Sequence, residues 1–544
     1  TTSTRFHSSQ SPCSVWGTTS AVVSKVSGGQ PATAHAVAVS SSSASSLTWG
    51  FSHDMQPISW EPSAPYFGFG VDDVGDTNSD GIRDIMVGGE ISLSDTLEGA
   101  VYVLFMHTNA QSIRSYQRVG TDTGGFTGSL GSNARFGAAI HAWGAYSGSG
   151  LTDVLVGAPG DDAVFLLFLD TSPHGHVASF TKIASSTAGM EALTAGGWFG
   201  ASIGSSAADM DSDGKADYLF GAPRYDVAHT DDGKIWRCGA PGTLHPNAIN
   251  GGEIYSFGEG LNSFTGTLSN NDYFGSGISG LGTETFYAVG ASGQDGGGTD
   301  KGALYVLEIL GFDGSCQGMT RHSDSMSLAD GALFGSSVLS VDAGSNGATA
   351  DLVVGAPGET SNTGAVYFVY LASGAPGTLQ SHIKITTSSS GFTGALATSD
   401  HFGRGLGGFQ NDLDADGNKD LLISNPGADT TTVTNAGTVF VTFNTNVETV
   451  ASFTKIANPT IATLPLPRVE VSATNIGGTG SMSVTVVGDN LGQSHVCRGT
   501  RHVSIGGSSV EGTKWATTTS VLGKEAQGQP GSARTLAVTS KLDR

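Results

Sequence analysis

The sequence predicts an all-β fold built on a β-propeller of four-stranded blades, and three observations lead there. A Phe-Gly pair recurs six times in one context: "YFGFGV" at Phe67, "RFGAAI" at Phe136, "WFGASI" at Phe199, "YFGSGI" at Phe274, "LFGSSV" at Phe334 and "HFGRGL" at Phe402. Each copy is followed by an apolar run that ends in a small turn, such as "IMVGGE", "VLVGAP", "YLFGAP" or "LVVGAP". Glycine reaches 81 of 544 residues, about double its usual share, without a collagen period. Such an excess points to many tight turns.

The elements of one repeat follow in order. The Phe-Gly pair and the small residues behind it open a first strand that packs near a central channel. The apolar run is a second strand, ending in a small turn. An alternating run such as "GAVYVLF" or "GAVYFVY" is a third, and a polar stretch such as "ASFTKIA" or "SHIKITT" is an outer edge strand. The unit returns every 60 to 75 residues. Four short antiparallel strands per repeat describe a propeller blade, whereas a β-sandwich would not need six copies of one long unit.

Composition narrows the function classes. The chain carries 48 acidic and 25 basic residues, a formal charge of −23. That balance argues against a nucleic-acid partner, which needs cations to neutralise phosphates, and it suits a cation-binding or extracellular protein. No apolar run approaches the roughly 18 residues of a membrane span. Cys13, Cys238, Cys316 and Cys497 form no CxxC pair, so a zinc site is not expected, and they allow one or two disulfides or none. The chain starts at Thr1 without a signal peptide, so a mature or excised segment is expected.

Acidic residues concentrate in three loops between first and second strands: "DTNSDGIRD" (Asp76–Asp84), "DMDSDGKAD" (Asp209–Asp217) and "DLDADGNKD" (Asp412–Asp420). All read D-x-[DN]-x-D-G-x-x-D. Side-chain oxygens fall at positions 1, 3, 5 and 9, and glycine at position 6 permits a sharp turn. The carbonyl of position 7 can complete the set. The expected ligands are therefore Asp76, Asn78, Asp80, Ile82 and Asp84; Asp209, Asp211, Asp213, Lys215 and Asp217; and Asp412, Asp414, Asp416, Asn418 and Asp420, with Ile82, Lys215 and Asn418 acting at position 7. Six or more oxygens in irregular geometry suit Ca²⁺ better than Mg²⁺, so about three calcium sites are expected. An EF-hand is excluded, because its position 12 needs Glu and Val87, Phe220 and Ile423 stand there. Each loop is read instead as a β-hairpin turn. "AYSGSGLTD" keeps only Asp153, "GLGTETFYA" keeps no Asp, and "DAGSNGATAD" keeps Asp342, Asn346 and Asp351 with one residue too many.

The Phe-Gly, acidic loop and Gly-Ala-Pro, recurring in that order over about residues 41–463, resemble FG-GAP repeats, the blades of integrin α-subunit heads. The resemblance implies calcium in the hairpin loops and ligand binding on the opposite propeller face. Family propellers usually have seven blades, so six to seven are expected here, a seventh being assembled from Ser41–Pro62 and the stretch after Asn444.

The two ends repeat each other. "WGTTSAVVSKVSGGQPATAHAVAVS" (Trp16–Ser40) aligns without a gap with "WATTTSVLGKEAQGQPGSARTLAVT" (Trp515–Thr539). Upstream of the second copy, Asp489-Asn490-Leu491-Gly492 and Ile505-Gly506-Gly507 resemble an immunoglobulin-like TIG/IPT domain, although the cysteine often found after Ile-Gly-Gly is absent. The expected division is a partial Ig-like segment (1–40), an FG-GAP propeller (41–463) and an Ig-like β-sandwich domain (464–544). Half an Ig-like sheet leaves open strand edges, so Trp16–Ser40 is expected to dock on another chain's module, on this chain's own C-terminal domain or on the propeller side. A module divided at a repeat boundary favours another copy, and with it a repeating filament or surface-appendage subunit.

Other motifs are read as structure. "GASIG" around Ser202 matches G-x-S-x-G, but the slot holds Gly70, Ala139, Gly277, Ser337 and Gly405 in the other repeats, which marks a packing position. No HExxH pair occurs among the 14 histidines. Glycine-rich "TGGFTGSLG" precedes no helix, so phosphate cradling is not expected, and Trp143 and Trp198 are read as core or rim packing. No catalytic constellation is visible, so no enzymatic activity is expected. The expected function is an extracellular or cell-surface, calcium-binding adhesion or structural protein, with a protein or glycan ligand at the propeller loops. The alternative is the non-catalytic propeller region of a secreted phospholipase or polysaccharide-lyase-type enzyme.

Overall fold

A computed structural model of the chain describes residues 66–457 except 90–96, 107–112, 172–173, 187–189, 206–215, 240–253, 282–284, 311–314, 324–325, 342–350, 373–374, 388–390, 409–419, 430–433 and 447–448, together with the backbone of strands within 4–52 and 468–540. Two compact units result, Glu61–Ile461 and a second made of Thr1–Trp60 with Ala462–Arg544.

The first unit is a six-bladed β-propeller. Each blade is a four-stranded antiparallel sheet whose strands are neighbours in chain order. The first strands are Phe67–Gly75, Ile140–Gly144, Ser202–Ser205, Phe274–Gly280, Ser337–Val341 and Leu406–Gly408. They touch one another around a closed ring, so they form the inner wall. Second strands such as Asp84–Gly89, Asp153–Ala158 and Asp351–Ala356 are buried at every position, because neighbouring blades cover both faces. Outer strands such as Ile113–Val119 are buried only at their ends.

The cores lie between blades. Phe136 stacks on Phe126 with centroids 5.0 Å apart and meets Phe165 edge-on at 5.5 Å. Phe274 with Phe264 and Phe402 with Phe392 repeat the pairing at 5.1 Å. All six Phe-Gly phenylalanines are at most 1% exposed. The glycines let the sheets meet. A Cβ on Gly88 would lie 1.9 Å from the Gly137 carbonyl, and Gly290 and Gly355 stand at the same distance from the Gly335 and Gly403 carbonyls.

The ring closes without exchange of a strand between first and last blades. Short bridges join Gly99 to Phe136, Gly233 to Phe274, Gly302 to Phe334 and Gly364 to Phe402. At the final seam, Tyr66 N–H bonds the Asn435 carbonyl at 2.6 Å, and Gly437 approaches Phe67 in the same manner. Six blades complete the circle. Thr48–Ser52, a candidate piece of a seventh blade, pairs instead with Arg468–Thr474 in the second unit.

That second unit contains two five-stranded sheets and the hairpin Cys13–Thr18/Ala21–Lys25. One sheet runs Thr4–Phe6, His35–Ser41, Arg534–Ser540, His502–Ile505, Ser508–Ser509. The other runs Glu511–Thr517, Ser520–Lys524, Ser483–Gly488, Arg468–Thr474, Thr48–Ser52.

Candidate metal centre

The acidic loop of blade 1 joins the first strand, Phe67–Gly75, to the second, Asp84–Gly89, as a β-hairpin. Its carboxylates fold over the loop's own backbone. Asp76 accepts the N–H groups of Asp80 (3.1 Å) and Gly81 (2.8 Å), one on each oxygen. Asn78 Oδ1 also accepts Asp80 N–H, at 2.9 Å, and Asp80 Oδ1 accepts Ile82 N–H at 2.9 Å. Gly81 takes a φ of +85° with open space around it, as the sharp turn requires. Arg114 reaches the other Asp80 oxygen at 3.1 Å. The loop thus converges Asp76 and Asn78 on one point of the hairpin tip, with Asp80 beside them.

Asp84 behaves differently. It is fully buried, and Oδ2 accepts both Thr77 N–H (3.0 Å) and Thr77 Oγ1–H (2.5 Å), while Oδ1 accepts Met106 N–H at 3.1 Å from the third strand. Burial pushes this carboxyl up to about 7. The hard-oxygen donor set of the loop fits Ca²⁺ in kind. Among the described residues, however, no three His, Cys, Asp or Glu side chains are gathered as a metal site.

In the sister loops only the last members are described. Asp217 is buried and paired with Arg237 Nη2 at 2.8 Å, and Asp420 is buried at the start of its strand. Asp209, Asp211, Asp213 and Lys215, and Asp412, Asp414, Asp416 and Asn418, lie outside the described residues.

The position-9 aspartate proves to have a second task. Asp84, Asp153, Asp217, Asp351 and Asp420 all sit four residues before a small residue that recurs in the second strand (Gly88, Gly157, Gly221, Gly355 and Ser424), and none exceeds 1% exposure. Asp153 and Asp351 belong to loops without the full acidic pattern. Asp153 accepts Tyr146 and Ser147 N–H (2.9 and 2.7 Å), and Asp351 accepts Leu371 N–H at 3.1 Å, the counterpart of Met106. In blade 4, Phe286 occupies the slot, and Ile309 N–H bonds the Thr285 carbonyl instead. The aspartate is a strand anchor in its own right. The constant spacing was visible in the sequence, but reading it only as a ligand position hid this second use.

The inner wall holds a cluster that no linear motif announces. Asp72, His141 and Ser205 come from the first strands of blades 1, 2 and 3. Ser205 Oγ lies 2.9 Å from His141 Nε2, and His141 Nδ1 lies 3.7 Å from Asp72 Oδ2. The order resembles a nucleophile relay, but the geometry does not complete one. Asp72 Oδ2 is already committed to Ala142 N–H at 2.8 Å, Oδ1 to Asp73 N–H at 3.0 Å, and 3.7 Å exceeds hydrogen-bond reach. Burial pushes His141 down to about 4, too weak a base for general-base work at neutral pH. Burial also raises Asp72 to about 7. The cluster is a polar seam tying three blades together. Ser202 is likewise structural: it is buried, and its Oγ donates to the Gly275 carbonyl at 2.7 Å, as Ser337 does to Gly403 at 2.8 Å.

The opposite face of the propeller carries the residues preceding each Phe-Gly. Tyr66, Arg135, Trp198, Tyr273, Leu333 and His401 all take positive φ, between 54° and 65°. Five of them donate N–H to a loop carbonyl of the preceding blade, which holds the left-handed turn in place. The guanidinium groups of Arg135 and Arg224 lie over the ring of half-buried Trp198, 4.8 and 3.9 Å from its centroid, whereas Trp143 is core. Cys238 and Cys316 are buried free thiols. No helix among the described residues is long and apolar enough to cross a membrane. No protein-family model matches this chain, and comparison with curated proteins finds no significant match.

Proposed function

We propose that this chain is an extracellular or cell-surface scaffold whose propeller is stabilised by about three calcium ions and whose role is adhesive or structural. The observation that carries this reading is the blade 1 hairpin, where Asp76 and Asn78 converge with Asp80 beside them at the tip of a loop whose D-x-[DN]-x-D-G-x-x-D pattern occurs three times in the sequence. The proposed ligands are Asp76, Asn78, Asp80, Asp84 and the Ile82 carbonyl, with the corresponding residues of the Asp209–Asp217 and Asp412–Asp420 loops. Bound calcium would offset carboxylate repulsion at the hairpin tips and part of the −23 charge. The resemblance to FG-GAP blades supports the same assignment and suggests a protein or glycan ligand at the loops of the face opposite the calcium hairpins. The repeated ends support self-association through the terminal segments. The chain is proposed to act by binding rather than by catalysis, in keeping with the incomplete geometry around Ser205. Equilibrium dialysis with ⁴⁵Ca tests the reading: about three equivalents per chain support it, and no retained calcium refutes it.

A further inference from the structure

The second unit is internally duplicated, in structure as well as in sequence. Every strand within Thr4–Ser41 has a counterpart 499 positions later, the spacing from Trp16 to Trp515. Thr4–Phe6 corresponds to His502–Ile505, Cys13–Thr18 to Glu511–Thr517, Ala21–Lys25 to Ser520–Lys524 and His35–Ser41 to Arg534–Ser540. The registers correspond too. Thr4 stands opposite Val39 as Val503 stands opposite Val538, and Trp16 opposite Val22 as Trp515 opposite Val521.

The two halves then pair with each other through equivalent strands. His35–Ser41 lies antiparallel to Arg534–Ser540, with Ala38 opposite Ala537, Val37 opposite Val538 and Val39 opposite Leu536. Ala38 and Ala537 are themselves counterparts. Each strand therefore meets its own copy about a pseudo-twofold axis through that pair, which is the arrangement of an isologous interface written into one chain.

Such an edge cannot tell a copy in its own chain from a copy in another. The main-chain hydrogen bonds and the register are the same in both cases, and an uncovered strand edge recruits any matching strand. The two halves are separated in sequence by the whole Glu61–Ile461 unit, so only an effective concentration, not a short hairpin, favours the internal pairing. We propose that two chains of this protein associate by exchanging these half-modules, the His35–Ser41 strand of one pairing with the Arg534–Ser540 strand of a second copy. This deepens the self-association reading above, on which it rests, and is independent of calcium.

Residues directly opposite in an antiparallel pair have Cα atoms about 4.5–5.5 Å apart, within the span of a disulfide. Two single-cysteine chains, Ala38→Cys and Ala537→Cys, are made in a background carrying Cys13→Ser, Cys238→Ala, Cys316→Ala and Cys497→Ser, then unfolded and refolded together at rising concentration under mild oxidation. Exchange predicts a covalent dimer whose linked peptides join positions 38 and 537, increasing with concentration. An off-register mixture of Ala38→Cys with Ser540→Cys should give none. The Ala38→Cys/Ala537→Cys double variant should close within one chain at high dilution. If the double variant closes but the mixture never cross-links, exchange is wrong; light scattering then decides whether the chain still self-associates by another surface or not at all. Failure of the double variant to close overturns the pairing itself.

Discussion

At the residue scale, burial of charge decides more than its number. Asp72 sits in the inner wall with its carboxyl raised from 3.8 to about 7. A carboxyl with a raised folded pKa stabilises the fold below its unfolded value, and that contribution is lost as pH rises through 7. Asp72→Asn should therefore melt at or above the wild type at pH 8, by on the order of 1 kcal/mol after allowance for its partial contact with solvent, and lose that advantage at pH 5. His141, lowered from 6.5 to about 4, acts with the opposite sign between those values, so variant and parent must be compared at each pH. A difference in melting temperature that stays constant from pH 5 to 8 contradicts this. Close approach is the other residue-level constraint. Gly88→Ala should cost several kcal/mol in urea melts, since the new methyl meets the Gly137 backbone, whereas Gly81→Ala in open space should cost about 1 kcal/mol for its positive φ alone. Neither Ser202 nor Ser205 should react with a serine-directed phosphonate probe. Labelling of Ser205 that disappears in His141→Gln would show that the seam is a working relay.

At the scale of the element, the acidic hairpin divides into a tip and an anchor. Asp76→Ala should remove one of about three calcium equivalents while leaving the melting temperature in chelator unchanged, because Asp76 bonds only the loop's own N–H groups. Asp84→Ala and Asp351→Ala should each lower stability by about 1–3 kcal/mol even in chelator, because a buried third-strand N–H loses its acceptor. Equal effects of Asp76→Ala and Asp351→Ala in chelator would remove the distinction. The blade strands were legible in the sequence because burial imposes a pattern: continuous apolar runs where sheets cover both faces, polar runs at the rim. The Asp72–His141–Ser205 seam was not, since its members lie 64 to 69 residues apart and meet only when first strands are set side by side. The Gly-Ala-Pro glycines were readable as turns, yet their tighter constraint, contact with the next blade's Phe-Gly carbonyl, belongs to the assembled ring.

For the whole molecule, closure and cation binding are the linked questions. Six blades close without a shared strand, and the seam between Asn435 and Tyr66 repeats the N–H-to-carbonyl contact made before Phe136, Phe274, Phe334 and Phe402. The sequence shows six Phe-Gly copies, matching the six blades; a seventh was allowed only because the propellers it resembles usually have seven, and Thr48–Ser52 pairs with Arg468–Thr474 instead. The duplication of the ends was also plain in the sequence, whereas the pairing of the two copies with each other needed the register. The central claim is that calcium holds the propeller's hairpins. Extracellular sites of this kind bind at roughly 10⁻⁴–10⁻³ M, so about 10 mM calcium acting on a site of about 1 mM should add about 1.4 kcal/mol per site by mass action. The most direct measurement is the melting temperature of the full chain in chelator, in magnesium and across a calcium titration. The account predicts a saturating rise in calcium of several degrees, with magnesium well below it; identical melting in calcium and chelator would contradict it.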